Sequence, residues 1–200
     1  MKMKIRLLFA TITTLALTSM VGAQTTVENL NHVYQAESNA ANCYLAFAKQ
    51  AEIENLPQAA KLFRAAASSE EIHRKIIERS IQKIGGRVET FKLDEITLGS
   101  TADNLRRAIE AETAQSGTAY PGFLASAKAD NLKPAIRAFD YNSECDEKLA
   151  IHFQQALDHL DREVSVRYYL CGDCGLLLSE LPEKKCPVCR KGLKEFDLIN

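Results

Sequence analysis

The 200-residue chain has no tryptophan and only four histidines, three methionines, five prolines and nine glycines. With so few helix breakers, collagen-like and low-complexity architectures are excluded and long helices are allowed. Neither sign of charge is in excess: 25 Lys and Arg stand against 26 Asp and Glu, a formal net charge of -1. No Lys/Arg stripe is interleaved with aromatics, so the electrostatic footprint of nucleic-acid binding is missing. Long apolar runs are scarce, and Leu7 to Val21 is shorter than the ~20 residues that span a bilayer. Cysteine is sparse until the end: Cys43 and Cys145 precede four more in the last thirty residues. That asymmetry divides the chain into two unequal parts.

The N-terminus has the order of a secretory leader. Lys2, Lys4 and Arg6 precede the uncharged run, and Val21-Gly22-Ala23 offers small residues where a signal peptidase reads. A leader over residues 1–23 and a periplasmic or otherwise exported protein are expected, in a compartment where disulfides persist. No cysteine follows the cleavage point, so a lipid anchor is not indicated. Removing three basic residues leaves 22 Lys and Arg against 26 Asp and Glu, a mature net charge of -4 with no membrane span.

Helical periodicity runs from Thr25 to Ile84 and from Thr101 to Leu160. Thr25 with Glu28 resembles a capping box, Pro57 and Pro134 suit first helical turns, and Gly85-Gly86 is a stop. The reading is four helices over about 26–54, 57–84, 101–129 and 133–161. The stretch Gly85 to Ser100 is long enough to cross the whole bundle, at ~3.3 Å per extended residue. The two halves also repeat. Ala51-Glu-Ile-Glu-Asn-Leu56 recurs as Ala127-Lys-Ala-Asp-Asn-Leu132, and Tyr44 matches Tyr120, at an offset of 76, whereas Glu37 matches Glu112 at 75. One residue has entered the third helix between Glu112 and Tyr120, and a π-bulge is the expected way to absorb it.

Each helix aims a carboxylate at the core. At 100° per residue, Glu37 shares a stripe with Leu30, Val33, Ala41 and Tyr44, and Glu70 and His73 share one with Phe63, Ile77 and Ile81. Glu112 aligns with Leu105 and Ala108, and Asp146 aligns with Phe139, Phe153 and Leu157. Solvated acids at the stripe edges are the bland alternative. Four such acids at repeat-related positions, with Glu-x-x-His on one helix, point instead to a metal-binding core, because isolated buried carboxylates cost several kcal/mol. His32, His152 and His159 fall about 140° or more from these stripes and are expected at the surface.

In the tail, Cys171-Gly-Asp-Cys174 and Cys186-Pro-Val-Cys189 form two knuckles whose four thiolates suit one tetrahedral iron or zinc. So few apolar side chains accompany them that the metal is expected to contribute to folding. Two disulfides are the rival reading in an exported protein. Cys43 and Cys145 lie off the core stripes, as small buried side chains or a disulfide.

Taken together, Glu37-Ser-Asn-Ala-Ala-Asn-Cys-Tyr44, Leu62 to His73, Ala108 to Thr113, Tyr120-Pro-Gly-Phe123 and Tyr169 to Cys189 resemble the rubrerythrin family. The resemblance implies an all-α ferritin-like four-helix bundle over residues 24–163 and a small rubredoxin-like four-cysteine metal domain over 164–200. It further implies that Glu37, Glu70, His73 and Glu112 ligate iron, with Tyr44 and Tyr120 supporting the carboxylates. Cys171, Cys174, Cys186 and Cys189 would hold one iron. Where the family has a second acid after Glu112 this chain has Gln115, and where it has Glu-x-x-His on the fourth helix it has Asp146-x-x-Leu149. The core is thus expected to hold a dinuclear or degenerate iron site, with Glu37, Glu70, His73, Glu112, Gln115, Asp146, Tyr44 and Tyr120 as its reactive set. Arg190 stands where a glycine commonly follows the last knuckle cysteine.

The function this resemblance implies is a non-haem iron peroxidase. It would reduce hydrogen peroxide with electrons relayed from an unknown donor through the four-cysteine iron, in a homodimer where one subunit's tail serves the other's core. The alternative is a non-enzymatic, iron-sequestering bundle with a structural zinc knuckle.

Overall fold

The computed structural model describes residues 10–162 and 164–199, with side chains from Thr25 onward. The leader expected over residues 1–23 lies outside the residues whose side chains are described. Helix α1 spans Ala10–Ile53, α2 Pro57–Lys83, α3 Thr101–Ala114, α4 Tyr120–Ala129 and α5 Lys133–Asp158, and a π-helical segment, Gln115–Ala119, joins α3 to α4. Thr25 and Glu28 therefore lie inside α1 rather than capping its start. Between Ala10 and Thr25 there is no proline, and the single Gly22 is too weak a breaker to end a helix. Among the described residues, no helix is long and apolar enough to cross a membrane.

The internal repeat is visible as two copies of one helix ending. Asn55 (φ 60°) and Asn131 (φ 55°) both take the left-handed conformation. Behind them Leu56 N–H bonds to Ala51 O at 2.8 Å, and Leu132 N–H to Ala127 O at 3.0 Å. Asparagine tolerates this conformation better than most residues, and the following Pro57 and Pro134 start the next helix. Each half is thereby a tight antiparallel hairpin, α1 on α2 and α3–α4 on α5.

The crossover is extended and fastened by asparagine amides. Asn31 donates to Arg87 O and accepts from Glu89 N–H at 3.0 and 2.9 Å. Asn39 accepts from Asp94 N–H at 3.1 Å, and Asn104 exchanges two 3.0 Å bonds with the Gly99 backbone. A strand-like segment with no sheet partner has its backbone groups satisfied this way.

Between the helices lie two apolar clusters. One, around Tyr44, Phe47, Phe63, Leu149 and Phe153, fills the end nearer the tail, and the other, around Leu30, Ile77, Ile81, Tyr120 and Phe139, fills the opposite end. The tail is a three-stranded antiparallel sheet of order β2-β1-β3, with β1 Tyr168–Cys171, β2 Leu177–Leu178 and β3 Phe196–Ile199.

Candidate metal centres

Glu37 of α1, Glu70 and His73 of α2 and Asp146 of α5 bring one ligand atom each within 4.8 Å of one another. All four are fully buried. His73 Nδ1 lies 3.0 Å from Glu70 Oε2, and Asp146 Oδ1 is 3.3 Å from the same nitrogen without completing a hydrogen bond. Glu112 of α3 is equally buried but stands outside this group.

The two tyrosines cross between the halves. Tyr44 of the first half donates to Glu112 Oε1 of the second, and Tyr120 of the second donates to Glu37 Oε1 of the first. Asn142 also donates to Glu37 Oε1, at 3.1 Å. The π segment makes this exchange possible. From Glu37 to Tyr44 is seven residues, two turns on one face, whereas from Glu112 to Tyr120 is eight. The wider turn takes up the extra residue and keeps Tyr120 facing inward.

Five carboxylate oxygens remain buried without a hydrogen-bond partner: Glu37 Oε2, Glu70 Oε1, Glu112 Oε2 and both oxygens of Asp146. Burial pushes the Glu70 and Asp146 carboxyls well above the ordinary range, with the neighbouring acids adding to it. Burial likewise raises Glu112 to about 8, against the Tyr44 hydrogen bond. Orphaned oxygens around a histidine nitrogen are the donor set of a bound cation, so the residues fit a metal of the iron or manganese kind.

The donors are unevenly distributed. Gln115 lies half-buried at the start of the π segment, one turn after the buried Glu112. Leu149, fully buried in the apolar cluster of Tyr44, Phe63 and Phe153, occupies the repeat position of His73.

Both knuckles of the tail have one geometry. Gly175 N–H bonds to Cys171 O at 2.8 Å and Arg190 N–H to Cys186 O at 3.1 Å, with Gly175 at φ 82° and Arg190 at φ 64°. Arg190 thus adopts the left-handed turn that a glycine would take there, at some cost in strain. The four sulfurs converge, with Cys171 and Cys189 at 3.7 Å and Cys174 and Cys186 at 3.6 Å. All six cysteines are free thiols, which excludes both the tail disulfides and a Cys43–Cys145 bridge in this structure. Hydrogen bonds, chiefly from Cys174, hold Cys171 down at about 5, while hydrogen bonds with Cys145 and Cys171 push Cys174 up and burial pushes Cys189 up, so one thiolate is favoured among the four crowded sulfurs.

The module sits on α2 and α5 of its own chain. Ser69 donates to Gly175 O at 2.6 Å and lies 3.5 Å from His73 Nε2. Cys145 Sγ donates to Cys174 O at 3.3 Å, His152 Nε2 meets Leu177 O at 3.1 Å, and Val166 N–H bonds to the Gln58 side chain at 3.1 Å. Burial raises the Cys145 thiol, but hydrogen bonds with Cys174 and His73 bring it down to about 7. For His73 the effect runs the other way: burial lowers it, while Cys145 and the acids raise it overall.

Two residues placed at the surface or unassigned by the helical stripes are therefore buried at this junction. Cys145 is inaccessible and His152 nearly so, while His32 and His159 are exposed as expected. A signal was present: Tyr141, Cys145 and His152 recur at spacings of four and seven, a second buried stripe on α5 facing the tail.

The rubrerythrin family model matches residues 28–148. Rubrerythrin-2 of Clostridium acetobutylicum is 31% identical over 173 residues, covering 82% of this chain and 91% of its own. A putative rubrerythrin of Methanocaldococcus jannaschii is 28% identical over 196 residues, with 90% and 95% covered. Among solved structures, mixed-valence nigerythrin superposes with a TM-score of 0.79 at 25% identity, with 86% of each chain covered. The family match across most of the bundle and the shared architecture through the tail lead to one conclusion: the chain belongs to the rubrerythrin family.

Proposed function

We propose that the protein is a rubrerythrin-type peroxide reductase in which Glu37, Glu70, His73 and Asp146 hold the principal core metal and Glu112 reaches toward a second. Cys171, Cys174, Cys186 and Cys189 would hold an electron-relaying iron. The observation that carries this reading is the contact between the two centres: His73 Nε2 faces Ser69, Ser69 bonds the Gly175 carbonyl, and Gly175 follows Cys174. A sequestering bundle would have no use for a thiolate centre fastened to its metal-binding histidine.

Bound iron supplies open positions for a peroxide oxygen and the electrons that reduce it. The chain's residues do the rest. Tyr44 and Tyr120 fix one oxygen each of Glu112 and Glu37, leaving the other oxygen of each free to bind. With Nδ1 turned to the carboxylates, His73 keeps Nε2–H for Ser69, which fixes its tautomer. Buried carboxyls that hold protons in the absence of metal are also suited to return them as peroxide takes up two electrons and two protons to become two waters. The leader-like N-terminus supports export to the periplasm or beyond, and N-terminal sequencing of the mature protein tests it.

Purified protein is expected to show the visible bands of ferric thiolate iron, to bleach on reduction and to recolour with hydrogen peroxide. Glu37→Ala with Glu70→Ala should keep the colour and lose peroxide consumption. Colourless protein carrying zinc in the tail, or peroxide consumption that survives both substitutions, would sink the reading. Leu149 and the neutral Gln115 favour one point of the alternative, a core short of donors for a second metal, and metal analysis on the same samples separates the two.

A further inference from the structure

A groove of about 420 Å³ runs between the end of α2, the start of α5 and the cysteine module. Arg79, Lys83, Lys133, Arg137 and Lys191 line it, all exposed. None of the five makes an ion pair among the described residues. Asp173 is the one acid in the lining. Five unpaired cations in one groove of a chain with net charge -1 are a marked local excess.

Stability does not account for them. Lys83 and Arg79 lie near the C-terminal end of α2, where a helix favours cations. Lys133 and Arg137 lie among the first five residues of α5, where the helix dipole disfavours cations and where the first turn carries no acid. Mutual repulsion adds to that penalty. The arrangement is one a folded chain keeps for an anionic surface.

Its position names the kind of surface. Asp173 lies between Cys171 and Cys174, Lys191 lies two residues past Cys189, and Tyr141 packs against the four-cysteine cluster while lining the groove. At Gly175 and Cys174 the module is closed by Ser69 and Cys145. The groove thus borders the module beside its cysteines and is lined by none of the residues that face His73.

We infer that this groove is the docking site of the electron donor, a small acidic one-electron carrier protein whose anionic rim seats on Arg79, Lys83, Lys133, Arg137 and Lys191. The inference rests on the relay reading above. One electron would leave the carrier's reduced centre and convert the ferric four-cysteine iron to ferrous, with no bond or proton moved.

The probes are a plant-type [2Fe–2S] ferredoxin, which is acidic, and hexaammineruthenium(II), a small cation. Bleaching of the thiolate bands by reduced ferredoxin should be fast at low ionic strength and fall steeply with salt. Lys133→Glu with Arg137→Glu should slow it on the order of tenfold at low salt. The same pair should accelerate reduction by hexaammineruthenium(II), which is no longer repelled, and should not lower Tm. Charge reversal at Lys49, on α1, should leave both rates alone. Salt-independent ferredoxin reduction, or slowing of both reductants together, overturns the proposal. Calorimetric titration with oxidised ferredoxin reads docking whatever metal fills the tail. Tight low-salt binding that the paired variant loses supports the site, and binding of inorganic phosphate without ferredoxin overturns it. Docking that persists in protein that consumes no peroxide would refute the relay and leave the groove assignment standing.

Discussion

Gly175 lies so close to His73 that a Cβ on it would fall 2.5 Å from the imidazole Nε2, and its φ of 82° is one that side chains rarely adopt. The backbone of the cysteine module thus touches the histidine of the carboxylate core with nothing between them. Gly175→Ala should cost about 1–2 kcal/mol from the left-handed backbone and about 1–3 kcal/mol from the overlap. Thermal melts should show the loss, and stopped-flow should show slowed reoxidation of the reduced thiolate iron by peroxide. Unchanged stability would mean that the module can lift away freely.

Leu149 fills the place that the repeat reserves for a second histidine. Leu149→His should restore a nitrogen donor at the repeat position of His73 and strengthen binding of a second core metal. Metal titration of the chelator-treated protein should show two unequal steps, with the weaker step moving to lower metal concentration in the variant. Burial of an imidazole in this apolar cluster should cost the metal-free form about 1–3 kcal/mol.

Without metal, stability should fall as pH rises. Glu112 moves from 4.5 to about 8 on folding, and Glu70 and Asp146 move in the same direction because burial disfavours their charge. The folded state then holds protons that the unfolded state releases, so stability is greatest below pH 4.5 and is lost progressively up to about pH 8. Bound metal keeps the carboxylates ionised, so it should flatten this slope and release protons on binding. Urea melts across pH with and without chelator measure both.

Arg190 repeats the backbone of Gly175 with a side chain attached. Arg190→Gly should relieve the left-handed strain, offset by the greater freedom of the unfolded chain, for a net gain of at most about 1 kcal/mol. Resistance of the thiolate metal to chelator should rise in parallel.

Cys145 has a depressed thiol pKa of about 7 yet no accessible surface. Access controls alkylation as strongly as thiolate content does. Iodoacetamide should therefore leave Cys145 unmodified in the metal-loaded protein and label it once chelation loosens the tail. Mass spectrometry of the peptide containing Asn142 to Lys148 distinguishes the two states.

The bundle was legible because its period of 3.6 is written in the residues that fill it, and the odd carboxylates stood out against that period. The extra residue between Glu112 and Tyr120 was legible because an intact copy, Glu37 to Tyr44, stands beside it in the same chain. The seating of the module was not. Cys145 and His152 touch it from positions off the stripe that faces the other helices, and the period of one bundle carries no sign of a second domain packed on its outside.

The seating of the module on its own bundle also bears on dilution. Both sets of metal-binding side chains, and every contact between them described above, come from one polypeptide. A relay that runs along these contacts would need no encounter between chains. Electron transfer between the centres, counted per chain, should stay constant as the protein is diluted far below any concentration at which its copies associate.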